Sequence, residues 1–252
     1  TDLVCMHEEY VLTLIATPGS LLEPEALVSP GDVAAITSTA WLEEGIACDL
    51  FIDKNAAGLL QHEFKTRCEK ARVDYVLQPV ENREKKLLIS DMDSTIIGQE
   101  CLDELADFAG LKAEVSAITE RAMRGELDFA GALTQRVAML KGLALTALEQ
   151  CHNERVRLNP GARELVATMK AHGARAVLVS GGFRYFTSRV SKMAGFDADR
   201  ANTLIDDGKA LTGAVGIPIL GREAKLAALQ EETAALGTVV DDSVAMGDGA
   251  ND

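Results

Sequence analysis

Hydrophobic and polar positions change period several times along the chain, and those changes mark its elements. In residues 10–17, YVLTLIAT, the apolar run predicts a strand closed by Pro18-Gly19. Residues 30–42, PGDVAAITSTAWL, predict a helix with Ser29 as its cap and Pro30 at its first position. Residues 46–52, IACDLFI, predict a strand, 56–71 a helix, and 73–80, VDYVLQPV, a third strand. The charged stretch ENREKK at 81–86 is a linker. Residues 1–84 thus form a small α+β unit, and the rest of the chain, 85–252, a second domain.

The second domain opens with LLIS at 87–90, too short for a helix and apolar enough for a strand buried on both faces. Residues from about 100 to 156 are helical in pattern, with Gly110, Gly125 and Gly142 as breaks. Residues 159–173 predict a helix in which Asn159 caps, Pro160 takes the first turn and Gly173 stops. RAVLVS at 175–180 is another buried strand, 222–237 a helix, and SVAMGDGAND a short strand running into a loop. Strands alternating with helices predict an α/β fold with a parallel sheet and right-handed crossovers. The helical block at 100–156 is too long for one crossover and reads as an inserted helical cap.

Composition narrows the function. A net charge of −14 excludes a nucleic-acid or anionic-membrane surface, where clustered Lys and Arg are required. Any anionic substrate must therefore meet a local positive site. The five cysteines are scattered without a C-x-x-C, which predicts reduced thiols in a cytoplasmic protein. No run reaches the roughly 18–20 apolar residues of a membrane span. The apolar residues 11–16 follow Glu8-Glu9 without a basic stretch, which predicts no signal peptide.

Chemistry collects at three strand ends. Asp91 and Asp93 follow the first strand of the second domain, Ser180-Gly181-Gly182 the second, and Asp248, Asn251 and Asp252 the last. In an open parallel sheet such ends converge on one crevice, where ligands bind. Two aspartates so close repel each other. A calcium loop needs Gly and Glu where Ile96 and Leu102 stand, and a helix cap needs one Asp, not two. An acidic turn remains open. In the catalytic alternative one carboxylate stays ionised beside a cation and attacks phosphorus, while its neighbour carries a proton for the leaving oxygen. Asp248 is a third carboxylate for a hard cation, and oxygen-only ligation points to Mg2+. Ser180 and Gly181 can hold phosphate oxygens; Lys225 is either a cation for the phosphoryl group or a solvated surface lysine. No P-loop, G-x-S-x-G or paired-histidine metal pattern is present.

With DMDST, VSGGF, Lys225 and GDGAND in this order, the chain resembles the haloacid-dehalogenase-like superfamily and, within it, the phosphoserine phosphatases. GQECLDELA, RAMRGELDF and RVAMLKGL are similar to the cap of those enzymes. The resemblance implies a Rossmann-like parallel sheet flanked by helices, with a helical cap. It implies Mg2+-dependent hydrolysis of O-phospho-L-serine through an aspartyl phosphate, as the last step of serine biosynthesis. Asp91 would be the nucleophile, Asp93 the general acid and base, and Asp91, Asp93 and Asp248 the metal ligands. Ser180, Gly181 and Lys225 would grip the phosphoryl group, Glu100 the ammonium and Arg136 the carboxylate. Met123 and Phe129 would cover the site, with Thr95, Asn251 and Asp252 in support. The order of elements in residues 1–84 resembles ACT-like regulatory domains, which leaves open a homodimer and an amino-acid effector. The family pattern continues beyond GDGAND into a helix and further strands, which leaves open whether the chain ends at Asp252 or those elements are missing from the sequence. A non-catalytic sensor of serine or phosphate is the competing reading, against which the intact aspartate pair speaks.

Overall fold

The computed structural model describes residues 9–29, 34–53 and 64–249. The chain divides into two compact units, Thr1–Glu84 and Lys85–Asp252.

In the first unit β1 (Glu9–Ala16), α1 (Pro24–Leu27), β2 (Ile36–Glu43), β3 (Ala47–Asp53), a helix α2 at 64–71 and β4 (Val73–Pro79) follow one another. Its antiparallel sheet has the order β2-β3-β1-β4. This is the β-α-β-β-α-β arrangement. Alternate residues of β1 and β3, among them Leu12, Leu14, Cys48, Leu50 and Ile52, bury one face against Phe64 and Cys68 of α2. The helix expected over 30–42 is a correction: residues 36–43 form an edge strand paired to β3, with irregularities at Ile36/Ser38 and Trp41/Glu43. β-branched Ile36, Thr37 and Thr39, with Trp41, suit a pleated edge, and pairing decides against the helical reading. Pro30 lies outside the described residues, as do the first turns of the helix expected over 56–71.

The second unit is built on a parallel sheet of order β10-β5-β6-β7. Its strands are β5 (Leu87–Ser90), β6 (Arg175–Phe183), β7 (Ala198–Asn202) and β10 (Ser243–Met246). β5 is buried throughout because both its neighbours and both its faces are covered. The expected cap is four helices: α3 (Cys101–Phe108), α4 (Lys112–Met123), α5 (Phe129–Met139) and α6 (Leu145–Arg155). Gly110, Gly125 and Gly142 fall between them as expected. Leu102, Leu105, Leu133, Val137 and Leu148 of the cap share one core with Leu88, Leu178, Phe183 and Phe186. α7 (Ala162–Ala171) and α8 (Arg184–Ala194) flank the sheet, with α9 (Arg222–Leu236) packing Ala228 on Leu87 and Val177.

Two features of this unit differ from the sequence reading. Asn159 does not cap α7. Its Nδ2 donates to the Thr95 carbonyl at 2.8 Å, α7 starts at Ala162 with Gly161 before it, and Pro160 lies outside the helix. An unexpected hairpin, β8 (Leu204–Asp206) and β9 (Leu211–Val215), clasps the cap. Leu211 N–H donates to Leu143 O at 2.9 Å, and Leu145 N–H to Lys209 O at 2.9 Å. Among the described residues no helix is long and apolar enough to cross a membrane.

Candidate active site

The carboxyl ends of β5, β6 and β10 meet beneath the cap in a cleft of about 540 Å3, the size of a small-molecule site. Asp91, Asp93, Glu100, Phe129, Arg136, Ser180, Gly181, Lys225 and Asp248 line it. Nine residues expected from sequence thus reach one cavity. Of the others, Met123 ends α4 with its side chain outside the described set, and Asn251 and Asp252 lie outside the described residues. Thr95 stands behind the cleft, its Oγ1 3.5 Å from Asp248 Oδ1.

Backbone hydrogen bonds bring the strand ends together. Asp91 N–H donates to Met246 O at 2.9 Å, which sets the loop carrying Asp248 beside Asp91. After Asp91 the chain wraps round one acceptor: the N–H groups of Thr95, Ile96 and Ile97 all point to Met92 O. Met92, Ile96 and Ile97 are buried and anchor this turn in the core. Ser94 sits in the left-handed region at φ +52°, and its hydroxyl donates to Glu100 Oε1 at 2.6 Å.

The two aspartates have different surroundings. Asp91 is 8% exposed, its Oδ1 accepts from Met92 N–H at 2.8 Å, and Lys225 Nζ stands 2.9 Å from its Oδ2. Burial pushes the Asp93 carboxyl up to about 7, opposed by hydrogen bonding from Cys101 and reinforced by the charges of Glu100 and Asp91. One carboxylate is therefore paired with a cation, and the other is poised to hold a proton near neutrality. Desolvation in the cleft raises Glu100 above, and lowers Arg136 below, its usual value.

Close approach explains the glycines. A Cβ on Gly182 would stand 2.9 Å from Asp93 Oδ2 and 3.1 Å from Ser180 Oγ. A Cβ on Gly181 would stand 3.0 Å, and one on Gly221 3.2 Å, from the Phe129 ring, so the two glycines form the seat on which that cap residue rests.

The cleft carries four carboxylates (Asp91, Asp93, Glu100, Asp248) against three cations (Arg136, Lys225, Arg222). Its donors beside Asp91 are oxygens, the set a hard cation takes. Among the described residues no three His, Cys, Asp or Glu side chains close on one point. The carboxylate oxygens of Asp91 and Asp248, which both line the cleft, are donors of the kind Mg2+ would take.

A family model described as haloacid dehalogenase-like hydrolase matches residues 88–252. The chain belongs to the haloacid dehalogenase-like hydrolases. It is 40% identical over 213 residues to a phosphoserine phosphatase of Archaeoglobus fulgidus, which covers 83% of this chain and 62% of that relative. The crystal structure of a probable phosphoserine phosphatase from Vibrio cholerae, unliganded, aligns with a TM-score of 0.76 at 31% identity. That match covers 97% of this chain and 74% of the other. A phosphoserine phosphatase solved as a phospho-aspartyl intermediate analogue aligns with a TM-score of 0.62 at 39% identity, over 68% of this chain and 81% of that one.

As a hydrolase of this family the chain has lining residues that sequence reasoning passed over. Leu102 and Leu133 supply an apolar wall under the cap, and Arg222 stands at the first position of α9. A position in the first turn of a helix aimed at the cleft was the available signal for Arg222. Nothing in the sequence singles out the two leucines.

Proposed function

We propose that the protein is a Mg2+-dependent phosphoserine phosphatase acting through an aspartyl phosphate on Asp91. The observation that carries this reading is the unequal pair in one cleft: Asp91 ion-paired to Lys225, Asp93 with its carboxyl raised to about 7. Its similarity to phosphoserine phosphatases supports the same reading.

The residues divide the work as follows. Ser180 Oγ, the Gly181 N–H and Lys225 Nζ hold the phosphoryl oxygens and supply the local positive site that an anionic substrate needs on a chain of net charge −14. Asp91 attacks phosphorus in line with the seryl oxygen; as the P–O bond to serine breaks, protonated Asp93 gives its proton to that oxygen. L-serine leaves. A water then loses its proton to Asp93 and attacks the aspartyl phosphate, breaking the bond to Asp91 and returning Asp93 to its protonated form. Bound magnesium would neutralise charge on the phosphoryl oxygens.

Substrate identity is read at the cap. Arg136 from α5, with Nη1 3.4 Å from Thr119 Oγ1, faces the carboxylate, and Glu100, braced by Ser94, the ammonium. Phe129 on its glycine seat excludes water from the aspartyl phosphate. Residues 1–84, with their β-α-β-β-α-β arrangement, belong to this reading as a regulatory unit of ACT-like kind. The test is phosphate release from O-phospho-L-serine with and without Mg2+. Release that needs the metal supports the reading; a protein that hydrolyses other phosphomonoesters but not this one contradicts the substrate assignment.

A further inference from the structure

We propose that Asn202 is a positioning residue that sets the distance between the two halves of the phosphoryl grip, the Ser180–Gly182 loop and the helix bearing Lys225. This rests on the reading of Ser180, Gly181 and Lys225 given above, and goes beyond it.

β6 and β7 pair as Val177 with Ala198, Leu178 with Asp199 and Val179 with Arg200, then jump to Phe183 with Asn202. Between the last two pairs β6 has three residues, Ser180, Gly181 and Gly182, where β7 has only Ala201. The phosphate-binding loop is therefore a bulge in a continuous strand. Such an excess leaves main-chain groups without ladder partners and aims them away from the sheet. Asn202 stands where the ladder resumes, and its side chain meets what the bulge leaves over.

Three of the four hydrogen bonds an asparagine side chain can make are used here. Nδ2 donates to Gly181 O at 2.8 Å and to Leu220 O at 3.0 Å, while Oδ1 accepts from Leu220 N–H at 2.7 Å. The side chain is 2% exposed, so water does not compete. Leu220 precedes Gly221, the residue before the first turn of α9, and Lys225 lies one turn into that helix. Two carbonyl oxygens from separate segments face the same amide nitrogen. Without its two N–H groups they would repel each other across a buried gap.

The geometry requires an amide here. A carboxylate has the same shape but no donor, and it turns an acceptor oxygen toward Gly181 O and Leu220 O where the amide has its two N–H groups. A serine hydroxyl is shorter and has a single donor. Each change leaves Ser180, Lys225 and Asp91 chemically intact; Asn202→Ser alters only the spacing of the groups that hold phosphate, while Asn202→Asp also adds a buried carboxyl group. Misplacement of the order of 1 Å in such a grip costs roughly 100-fold in rate.

The experiment compares wild type, Asn202→Asp and Asn202→Ser, each at a temperature where circular dichroism shows the native fold. It measures kcat and KM on O-phospho-L-serine and p-nitrophenyl phosphate, and the inhibition constant of inorganic phosphate. The expected result for Asn202→Asp is a roughly 100-fold loss of kcat on both substrates and a weaker inhibition by phosphate, with the ratio of the two KM values unchanged. Asn202→Ser falls between wild type and Asn202→Asp, and decides the matter alone if the aspartate variant does not fold. A variant that melts earlier yet keeps wild-type kcat and phosphate inhibition while folded overturns the proposal, because the role is then structural only. A wild type active on p-nitrophenyl phosphate and inactive on O-phospho-L-serine corrects the substrate alone, and the Asn202 comparison is then read on the former. A wild type inactive on both overturns the two together.

Discussion

Lys225 Nζ lies 2.9 Å from Asp91 Oδ2, a cation from the first turns of α9 against a carboxylate at the end of β5. Both side chains are largely buried, so the pair is little screened. In the proposed mechanism Lys225 serves Asp91 and the incoming phosphate with one charge. We expect Lys225→Met to lower kcat/KM by roughly 100-fold or more, the range seen when a preorganised charge-stabilising donor is removed. Lys225→Arg, which keeps the charge at a different reach, will recover only part of it. Steady-state kinetics on both variants checks this.

Gly182→Ala is the smallest change that should silence the site. The new Cβ would meet Asp93 Oδ2 at 2.9 Å and Ser180 Oγ at 3.1 Å, and one of the two must move. The expected outcome is a loss of roughly 100-fold in kcat with little change in melting temperature. A variant with wild-type kcat would show that Asp93 does not need its present position.

Arg136 separates substrates. If its guanidinium meets the substrate carboxylate, Arg136→Ala raises KM for O-phospho-L-serine by roughly 30-fold or more, from a lost charge pair of about 2 kcal/mol or greater. Turnover of p-nitrophenyl phosphate, which has no carboxylate, stays near the wild-type value. Equal losses on both substrates would assign Arg136 to the fold of α5 instead.

Away from the site, Glu232 of α9 sits 6% exposed between Arg175 Nε at 2.6 Å and Arg200 Nη2 at 2.7 Å. Burial by itself would raise this carboxyl, but the hydrogen bonds and charges of the two arginines outweigh it and hold it below its usual value. A lowered folded value means that the ion pair stabilises the fold above the unfolded carboxyl range, near pH 4.3. That contribution fades as pH falls through the folded value. Each arginine is about one third exposed, 37% and 33%, so solvent screening reduces the effect to about 1 kcal/mol. Glu232→Gln should lower the melting temperature at pH 7, and the gap to wild type should close below about pH 4.

How far the sequence announces this structure depends on where the deciding force lies. Asp91, Asp93, Ser180 and Asp248 are legible because each lies within three residues of the end of a strand-like run, and the parallel sheet brings strand ends together. The cap is legible because Gly110, Gly125 and Gly142 break an otherwise helical pattern. The strand at 36–43 is not, since its alanine and leucine suit a helix and only pairing with β3 settles the matter. The same limit hides the hairpin at 204–215, whose turn and second strand are held by Leu143 and Leu145 of the cap. Asn159 and Asn202 look alike in sequence, as asparagines beside a helix and a strand end. Their roles rest on carbonyls distant in the chain, those of Thr95, Gly181 and Leu220.

The central claim is that Asp91 becomes covalently phosphorylated while Asp93 manages the proton. The most direct test is to mix the protein with O-phospho-L-serine labelled in its phosphate, quench in acid within one turnover, and locate the label by mass spectrometry. The account predicts a phosphoryl group on the peptide containing Asp91, absent from Asp91→Asn, whose phosphate release also falls to background. Label on another residue, or phosphate release by Asp91→Asn at the wild-type rate, would contradict it.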